Sequence, residues 1–370
     1  MSAISFYHEH LMHQNIPKAL TKPSSLVSVH NEWDPLEEII VGSAENAFMP
    51  SVDQGFKVIQ GAATDLFHQL HKGVFPQQIV EETEEDIQVF TEVLESLGIV
   101  VKRPKPIKLE GTFKTLDWEA EHYFSYCPRD ILLAINDTII ETPNVFRSRY
   151  FENVEYKEIL IDYLKSGAKW IAAPKPRLLD DIYNDSDPNQ LALKDLEPVF
   201  DAANVIRAGK DLFYLVSDSG NELGLTWLQN TLGDKYTVHP CRNLYSSMHI
   251  DSTISLLKPG LALVNPARVT RDNLPAPLKK WDLLVAPEMM PYKYSDLGSF
   301  SSVWLGMNLL MLGPNLAVVD KHQTPLIKML ESNGIDVIPL VLRHGRTLGG
   351  GFHCITLDTR RKGQLEDYFS

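Results

Sequence analysis

A chain of 370 residues with 44% hydrophobic content can bury a large core, as one big domain or two ordinary ones. Its net charge of −13, from 35 basic and 48 acidic side chains, argues against a nucleic-acid binder that relies on phosphate attraction. It suits a cationic small substrate, although acidic surfaces commonly mean only solubility. Three cysteines (Cys127, Cys241 and Cys354) do not make a disulfide framework, no apolar run is long enough to span a bilayer, and a reducing cytoplasm is the expected setting.

From Met1 to about Ser25 there is neither a secretory apolar stretch nor the Arg-rich, acid-poor character of a transit peptide. Residues 1–30 are expected to form a mobile tail ahead of a single domain over 31–370. His8, Glu9, His10 and His13 have the residue types of metal ligands, but ligands need a rigid surround, so no metal is expected there. A first apolar strand follows at Leu36–Gly42, with the segment from Ile355 as its candidate partner.

Five stretches then share one pattern: the end of an amphipathic helix, usually a turn residue, a short apolar strand, then proline. They are Leu94–Pro104, Leu164–Pro174, Leu228–Pro240, Leu278–Pro287 and Leu330–Pro339. Glycine ends a helix in the left-handed conformation, and proline stops a strand because it has no N–H to donate. Hairpin-like pairs precede several of these units. Ile131–Ile135 and Thr138–Glu141 flank Asn136-Asp137, Ser255–Leu257 and Leu261–Val264 flank Lys258-Pro259-Gly260, and Leu309–Leu312 and Leu316–Val319 flank Gly313-Pro314-Asn315. The polar, acidic stretch Leu179–Leu196 reads as a surface excursion within one domain. A strand–strand–helix–strand unit repeated five times predicts an α/β fold with radial closure, which removes exposed sheet edges. A doubly wound sheet is the alternative, but no glycine-rich dinucleotide fingerprint follows any strand.

The chemistry-bearing residues lie late in the chain. In Gly349-Gly350-Gly351-Phe352-His353-Cys354, three glycines allow a bend that presents the thiol to a ligand. In Met248-His249-Ile250-Asp251, an extended backbone would put His249 and Asp251 on one face. His353 adjoins the cysteine, and neighbours on an extended chain point apart, so His249 is the preferred base. Asp201, in Phe200-Asp201-Ala202-Ala203, would orient the imidazole or else cap a turn. Asp130, in Cys127-Pro128-Arg129-Asp130, could reach a barrel's centre or form a turn. Cys127 and Cys241 read as inert thiols. Cysteine, histidine and carboxylates together are the parts of covalent catalysis.

Pro128–Leu132, Arg147–Glu152, Ala173–Pro176, Phe200–Ala203, Met248–Asp251 and Gly349–Cys354, in that order, resemble the amidinotransferase family from about Asn31 to the C-terminus. The resemblance implies a five-bladed α/β propeller, the pentein fold. It implies Cys354 as the nucleophile that takes the amidino group of L-arginine, His249 as general acid/base and Asp201 as its orienting carboxylate. Asp130 and Asp251 would grip the guanidinium, Arg268 the substrate carboxylate, and Ser301 and Ser302 would line the same pocket. A covalent amidino-cysteine and release of ornithine follow, with transfer to an acceptor primary amine and no cofactor or metal. Where glycine amidinotransferases carry Asn-Pro before Met-His, this chain has Ser246-Ser247, which puts glycine in doubt. Polyamine or lysine is ranked first as acceptor, glycine next, a specialised natural-product amine after that. An arginine-deiminase-like hydrolase and a non-catalytic scaffold are the other classes. Family members are often dimers, so a homodimer is an open expectation; no nucleic-acid or membrane partner is expected.

Overall fold

Five three-stranded sheets of one design recur along the chain in the computed structural model, which describes residues 26–51, 54–56, 71–107, 111–184, 187 and 190–370. In each, the central strand pairs antiparallel with one neighbour and parallel with the other. The first centres on Leu36–Val41, between Thr356–Arg361 and Val100–Lys102. The second centres on Thr138–Glu141, between Leu132–Ile135 and Lys169–Ala172. Asp211–Leu215, Leu261–Val264 and Leu316–Asp320 are the centres of the remaining three. The antiparallel member is wholly buried in Leu132–Ile135, Val205–Ala208 and Leu310–Gly313, whereas the parallel members are partly exposed.

The parallel pairings need crossovers, which helices supply. Gln77–Ser96, Lys157–Lys165, Glu222–Leu232 and Thr324–Ser332 are α-helices, and the 3₁₀ turn Pro277–Lys280 serves the fourth unit. In Gln77–Ser96 the buried Ile79, Thr83, Ile87, Phe90 and Leu94 recur every three or four residues, the spacing of one helix face. Each fully buried apolar side chain contributes roughly 1.5–3 kcal/mol.

Apolar clusters join consecutive sheets. Ile40 and Leu357 of the first meet Leu132 and Ile139 of the second. Leu133 and Ile140 meet Val205 and Leu212, and Ile206 and Phe213 meet Ile254 and Ala262. Leu263 meets Met311 and Ala317, and Leu310 and Val318 of the fifth return to Ile39 and Val41 of the first. Packing therefore links the last sheet to the first, while no hydrogen-bonded ladder closes into one continuous sheet among the described residues.

The predicted hairpins and the pairing of Leu36–Val41 with the C-terminal strand are present. The hairpin Val205–Ala208/Asp211–Leu215 was not predicted. Proline does not always end the last strand of a unit: Pro240 and Pro339 lie inside Thr237–Cys241 and Asp336–Leu340. Both are edge strands with one neighbour, so a missing N–H on the open side costs no ladder bond. Hydrogen bonding begins ahead of residue 31, because Val29 is buried and exchanges backbone bonds with Asn136. His8, Glu9, His10 and His13 lie outside the described residues.

Where the inner strands converge, charges are buried and paired. Asp358, fully buried, accepts from Arg129 Nη2 at 2.8 Å, Arg207 Nη2 at 2.8 Å and Arg361 Nε at 2.6 Å. Arg207 also grips Glu32 through Nε at 2.8 Å and Nη2 at 2.9 Å. Burial opposes the Asp358 anion, yet the three arginines hold its carboxyl well below the usual range. Arg207→Ala would leave Glu32 without its guanidinium clamp and Asp358 with two of its three arginines, and urea unfolding should show a loss of roughly 3–5 kcal/mol. Arg177→Ala, which breaks the exposed pair with Asp117, should leave the urea midpoint nearly unchanged in the same measurement.

Candidate active site

Above this charged hub the glycine run builds a rigid platform. The short helix Gly345–Leu348 ends at Gly349, whose φ of 92° is left-handed. Gly351 lies so close to Asn308 that a Cβ would sit 2.7 Å from its Oδ1. Phe352 packs edge-on against Phe90 of helix Gln77–Ser96, with ring centroids 5.1 Å apart. The Cys354 thiol is thereby held on the wall of a cavity of about 120 Å³.

The same wall carries Asp130, His249, Asp251, Arg268, Ser301 and Ser302. Asp251 Oδ2 accepts from the Cys354 thiol at 3.3 Å and faces His353 Nδ1 at 3.0 Å. His249 Nε2 meets Asp201 Oδ2 at 2.9 Å, and its Nδ1 lies 3.7 Å from Asp130 Oδ1. Asp201 precedes the 3₁₀ turn Ala202–Asn204 but its side chain does not cap it; the carboxylate serves the imidazole instead. Asp130 Oδ2 accepts from Arg149 Nη1 at 2.6 Å, whereas its buried Oδ1 has no hydrogen-bond partner among the described residues.

His249 and Asp251 share the cavity for a different reason from the one predicted. The segment is not extended. His249 is left-handed, with φ of 64°, and a turn follows in which Thr253 N–H donates to Ile250 O at 2.8 Å. This turn, not strand alternation, aims both side chains inward.

Arg268 Nη1 donates to Ser252 O, Ser252 Oγ and Thr253 Oγ1 at 2.9–3.1 Å, and the guanidinium lies 3.6 Å from the Tyr245 ring centre. It has no carboxylate partner among the described residues, which leaves a cation available on the cavity wall. Phe300 and Ser301 reach the wall because both backbone N–H groups donate to Arg346 O.

Other participants were not singled out from sequence. Arg149 is clamped by Glu152, with Nε–Oε2 at 2.5 Å and Nη2–Oε1 at 2.8 Å, and in turn positions Asp130. The i,i+3 Arg149/Glu152 spacing was the available signal. Cys127, read as an inert thiol, lines the cavity. His353 does not line it; it lies between Asp251 and Glu32, with Nε2 at 3.4 Å from Glu32 Oε2.

No protein-family model matches the chain. Inosamine-phosphate amidinotransferase 1 of Streptomyces glaucescens, however, is 54% identical over 345 residues, covering 93% of this chain and 99% of that protein. The chain belongs to the amidinotransferase family. The mitochondrial glycine amidinotransferase of Xenopus tropicalis is 38% identical over 359 residues, covering 93% of this chain and 85% of that protein. The solved inosamine-phosphate amidinotransferase of Streptomyces griseus superposes with a TM-score of 0.90 at 52% identity, covering 94% of this chain and 100% of that one. The resemblance read from sequence motifs is therefore correct, and the fold is the α/β fold of amidinotransferases.

In this amidinotransferase the cavity charges set each other's protonation. Burial and then the Asp251 charge push the Cys354 thiol well above its ordinary range, so the empty site favours the neutral thiol. Burial works to lower the His249 pKa, but Asp130, Asp201 and Asp251 together raise it to about 9. Burial works against ionised Asp251 as well, yet the bond to His353 and the charges of His353 and His249 hold its carboxyl well below the usual range.

A histidine raised in this way stabilises the fold fully below its unfolded value of 6.5, and that stability is lost as pH rises through about 9. The melting-temperature gap between the wild type and His249→Gln should therefore be widest near pH 6 and should narrow toward pH 9.5. Thermal scans of both proteins across that range check it.

Proposed function

We propose that this chain moves the amidino group of L-arginine to an acceptor primary amine through a covalent amidino-cysteine on Cys354. The observation that carries the reading is the convergence on a single cavity of the Cys354 thiol, the His249 imidazole held by Asp201, and the Asp130 and Asp251 carboxylates. Asp130 and Asp251 match the planar donor fork of a guanidinium, which stays protonated at neutral pH, and the unpartnered Asp130 Oδ1 is a ready acceptor. Arg268 would take the donor's carboxylate, beside Ser301 and Ser302.

The arriving cation offsets the charges that oppose the thiolate. A like charge at about 4 Å is worth a few kcal/mol at an effective dielectric of about 20. Cys354 then releases its proton to solvent, and the sulfur adds to the guanidinium carbon to give a neutral tetrahedral adduct. The C–N bond to the ornithine nitrogen breaks as that nitrogen takes the proton of the His249 imidazolium. What remains is an amidino-thioether cation on Cys354 and a neutral imidazole. The acceptor amine adds to the same carbon, His249 takes its proton, and the C–S bond breaks to return thiolate and imidazolium. Asp201 holds the imidazole throughout.

For the acceptor, the sequence ranking placed polyamine or lysine ahead of glycine. Relatives at half identity are named for inosamine phosphate, and on that ground we place an inosamine-phosphate-type amine first, with polyamine, lysine and glycine after it. Ser247, part of the departure from glycine amidinotransferases, lines the cavity and supports an acceptor other than glycine. We also read the five sheets as blades of a five-bladed propeller, supported by the five inter-sheet clusters. A homodimer in a reducing cytoplasm remains part of this reading.

Ornithine release from L-arginine is measured with inosamine phosphate, putrescine, lysine, glycine and no acceptor. Ornithine is expected with inosamine phosphate and only traces without an amine; citrulline without any amine would make the protein a hydrolase. Cys354→Ala should abolish release, and His249→Gln should lower it by about 10²- to 10⁴-fold. Normal turnover by Cys354→Ala would overturn the covalent route.

A further inference from the structure

Asn308 follows the 3₁₀ turn Val303–Met307 and is 4% exposed. All its side-chain bonds go to the nucleophile loop. Oδ1 accepts from the His353 N–H at 2.9 Å and from the Cys354 N–H at 3.1 Å, while Nδ2 donates to Cys354 Sγ at 3.2 Å. The orientation of the amide is determined by chemistry. Turned over, its NH₂ would face two backbone N–H donors and its oxygen would face the sulfur. Gly351 is bare against this side chain, which is how the amide comes so close.

The other groups around the sulfur work against a negative charge there. Asp251 Oδ2 can only accept, so its bond to Sγ exists for the thiol and turns into repulsion for the thiolate. Asp130 adds a second negative charge, and Cys127 is a neutral thiol raised by burial. The basic groups nearby bond elsewhere: His249 to Asp201, His353 to Asp251 and Glu32, Arg149 to Asp130 and Glu152, Arg129 to Asp358 and the His353 carbonyl, and Arg268, on the same wall, to Ser252 and Thr253. The only hydrogen bond donated to Sγ among the described residues is the one from Asn308 Nδ2.

We infer that Asn308 is a further catalytic residue of the transfer: it fixes Cys354 through two backbone N–H groups and donates to the sulfur when it becomes a thiolate. The inference rests on Cys354 being the nucleophile proposed above. A donor to an ionised acceptor is stronger than one to a neutral acceptor, so the bond strengthens as the S–H proton leaves. It weakens as the S–C bond forms and the sulfur loses its charge. When the acceptor amine expels the sulfur, the same N–H receives the returning thiolate. Asn308 thus favours the thiolate in both half-reactions without adding a charge that would compete with the guanidinium for Asp130 and Asp251.

Two variants separate the donated bond from positioning. Asn308→Asp is nearly isosteric and keeps an oxygen for the two backbone N–H groups, but it places an acceptor against the sulfur. Asn308→Ser removes the bond to sulfur without adding charge. Alkylation of Cys354 by iodoacetamide, followed by peptide mass spectrometry against pH, reads the thiolate without any substrate. Both variants should move the alkylation midpoint upward by about one pH unit or more, Asp further than Ser. kcat for ornithine release should fall by about 10- to 100-fold, with KM for L-arginine changed only a few-fold. Should one variant fail to fold by circular dichroism, the other carries the same readout. An unchanged midpoint in a folded variant would overturn the inference, whatever happened to kcat. A shifted midpoint in a protein that releases no ornithine would uphold Asn308's effect on the thiol and reject the proposed function instead.

Discussion

Asp358 and its three arginines are the constraint on which the rest of the molecule depends. The carboxylate belongs to the first sheet, Arg207 to the third, and Arg129 to the turn that opens the second. Arg361 reaches Met311 O in the fifth. Four of the five sheets are thus registered on one buried charge cluster. Apolar packing between sheets is non-directional and would tolerate sliding; charge-assisted bonds of defined geometry do not. The hub is also continuous with the site. Arg129 Nε donates to His353 O at 2.8 Å, so the residue beside Cys354 is anchored to the buried charge cluster.

The site above the hub is rich in carboxylates, and this determines what it can hold. Asp130, Asp201 and Asp251 surround one imidazole and one thiol, an arrangement that makes the imidazole a cation and keeps the thiol neutral. A small anion would find those carboxylates already in place, while a planar cation would relieve them. The arrangement is also self-consistent for group transfer. The protonated imidazole is the form that can donate to a departing amine, and the neutral imidazole left behind can accept from an incoming one. Side chains that hold others in place support the site: Arg149 clamped by Glu152, and Phe352 packed on helix Gln77–Ser96.

Much of this was legible in the chain. The helix–strand–proline pattern marked all five units and the strand-pair signals four of them, because turn residues and alternation act within a few residues of one another. The third hairpin escaped because Ala208-Gly209-Lys210 is a weak turn signal between two strands that are almost wholly buried and so do not alternate in burial. Pro240 and Pro339 misled because their acceptability depends on which side of a strand is open, a property of the sheet. Cys354, His249, Asp201, Asp130 and Asp251 were found as short motifs, and the structure brings all but Asp201 to one cavity, with Asp201 bonded to His249. Asn308 and Glu32 were not, since an amide or a distant ion-pair partner has no local signature that distinguishes it from a surface residue, and Arg149 had only its i,i+3 spacing to Glu152.

By itself the sequence determined the kind of unit, its fivefold recurrence, the family and the residue types that line the candidate site. All of these reside in residue types and short spacings. Only the tertiary structure decided that His249 points inward through a left-handed turn, that His353 serves Asp251 and Glu32 instead of the thiol, and that a single amide faces the sulfur. Those outcomes depend on distances between residues 45 to more than 300 positions apart, such as Asn308 with His353 and Glu32 with His353. Burial then amplifies each such distance into a protonation state, because charges removed from water interact far more strongly than charges within it.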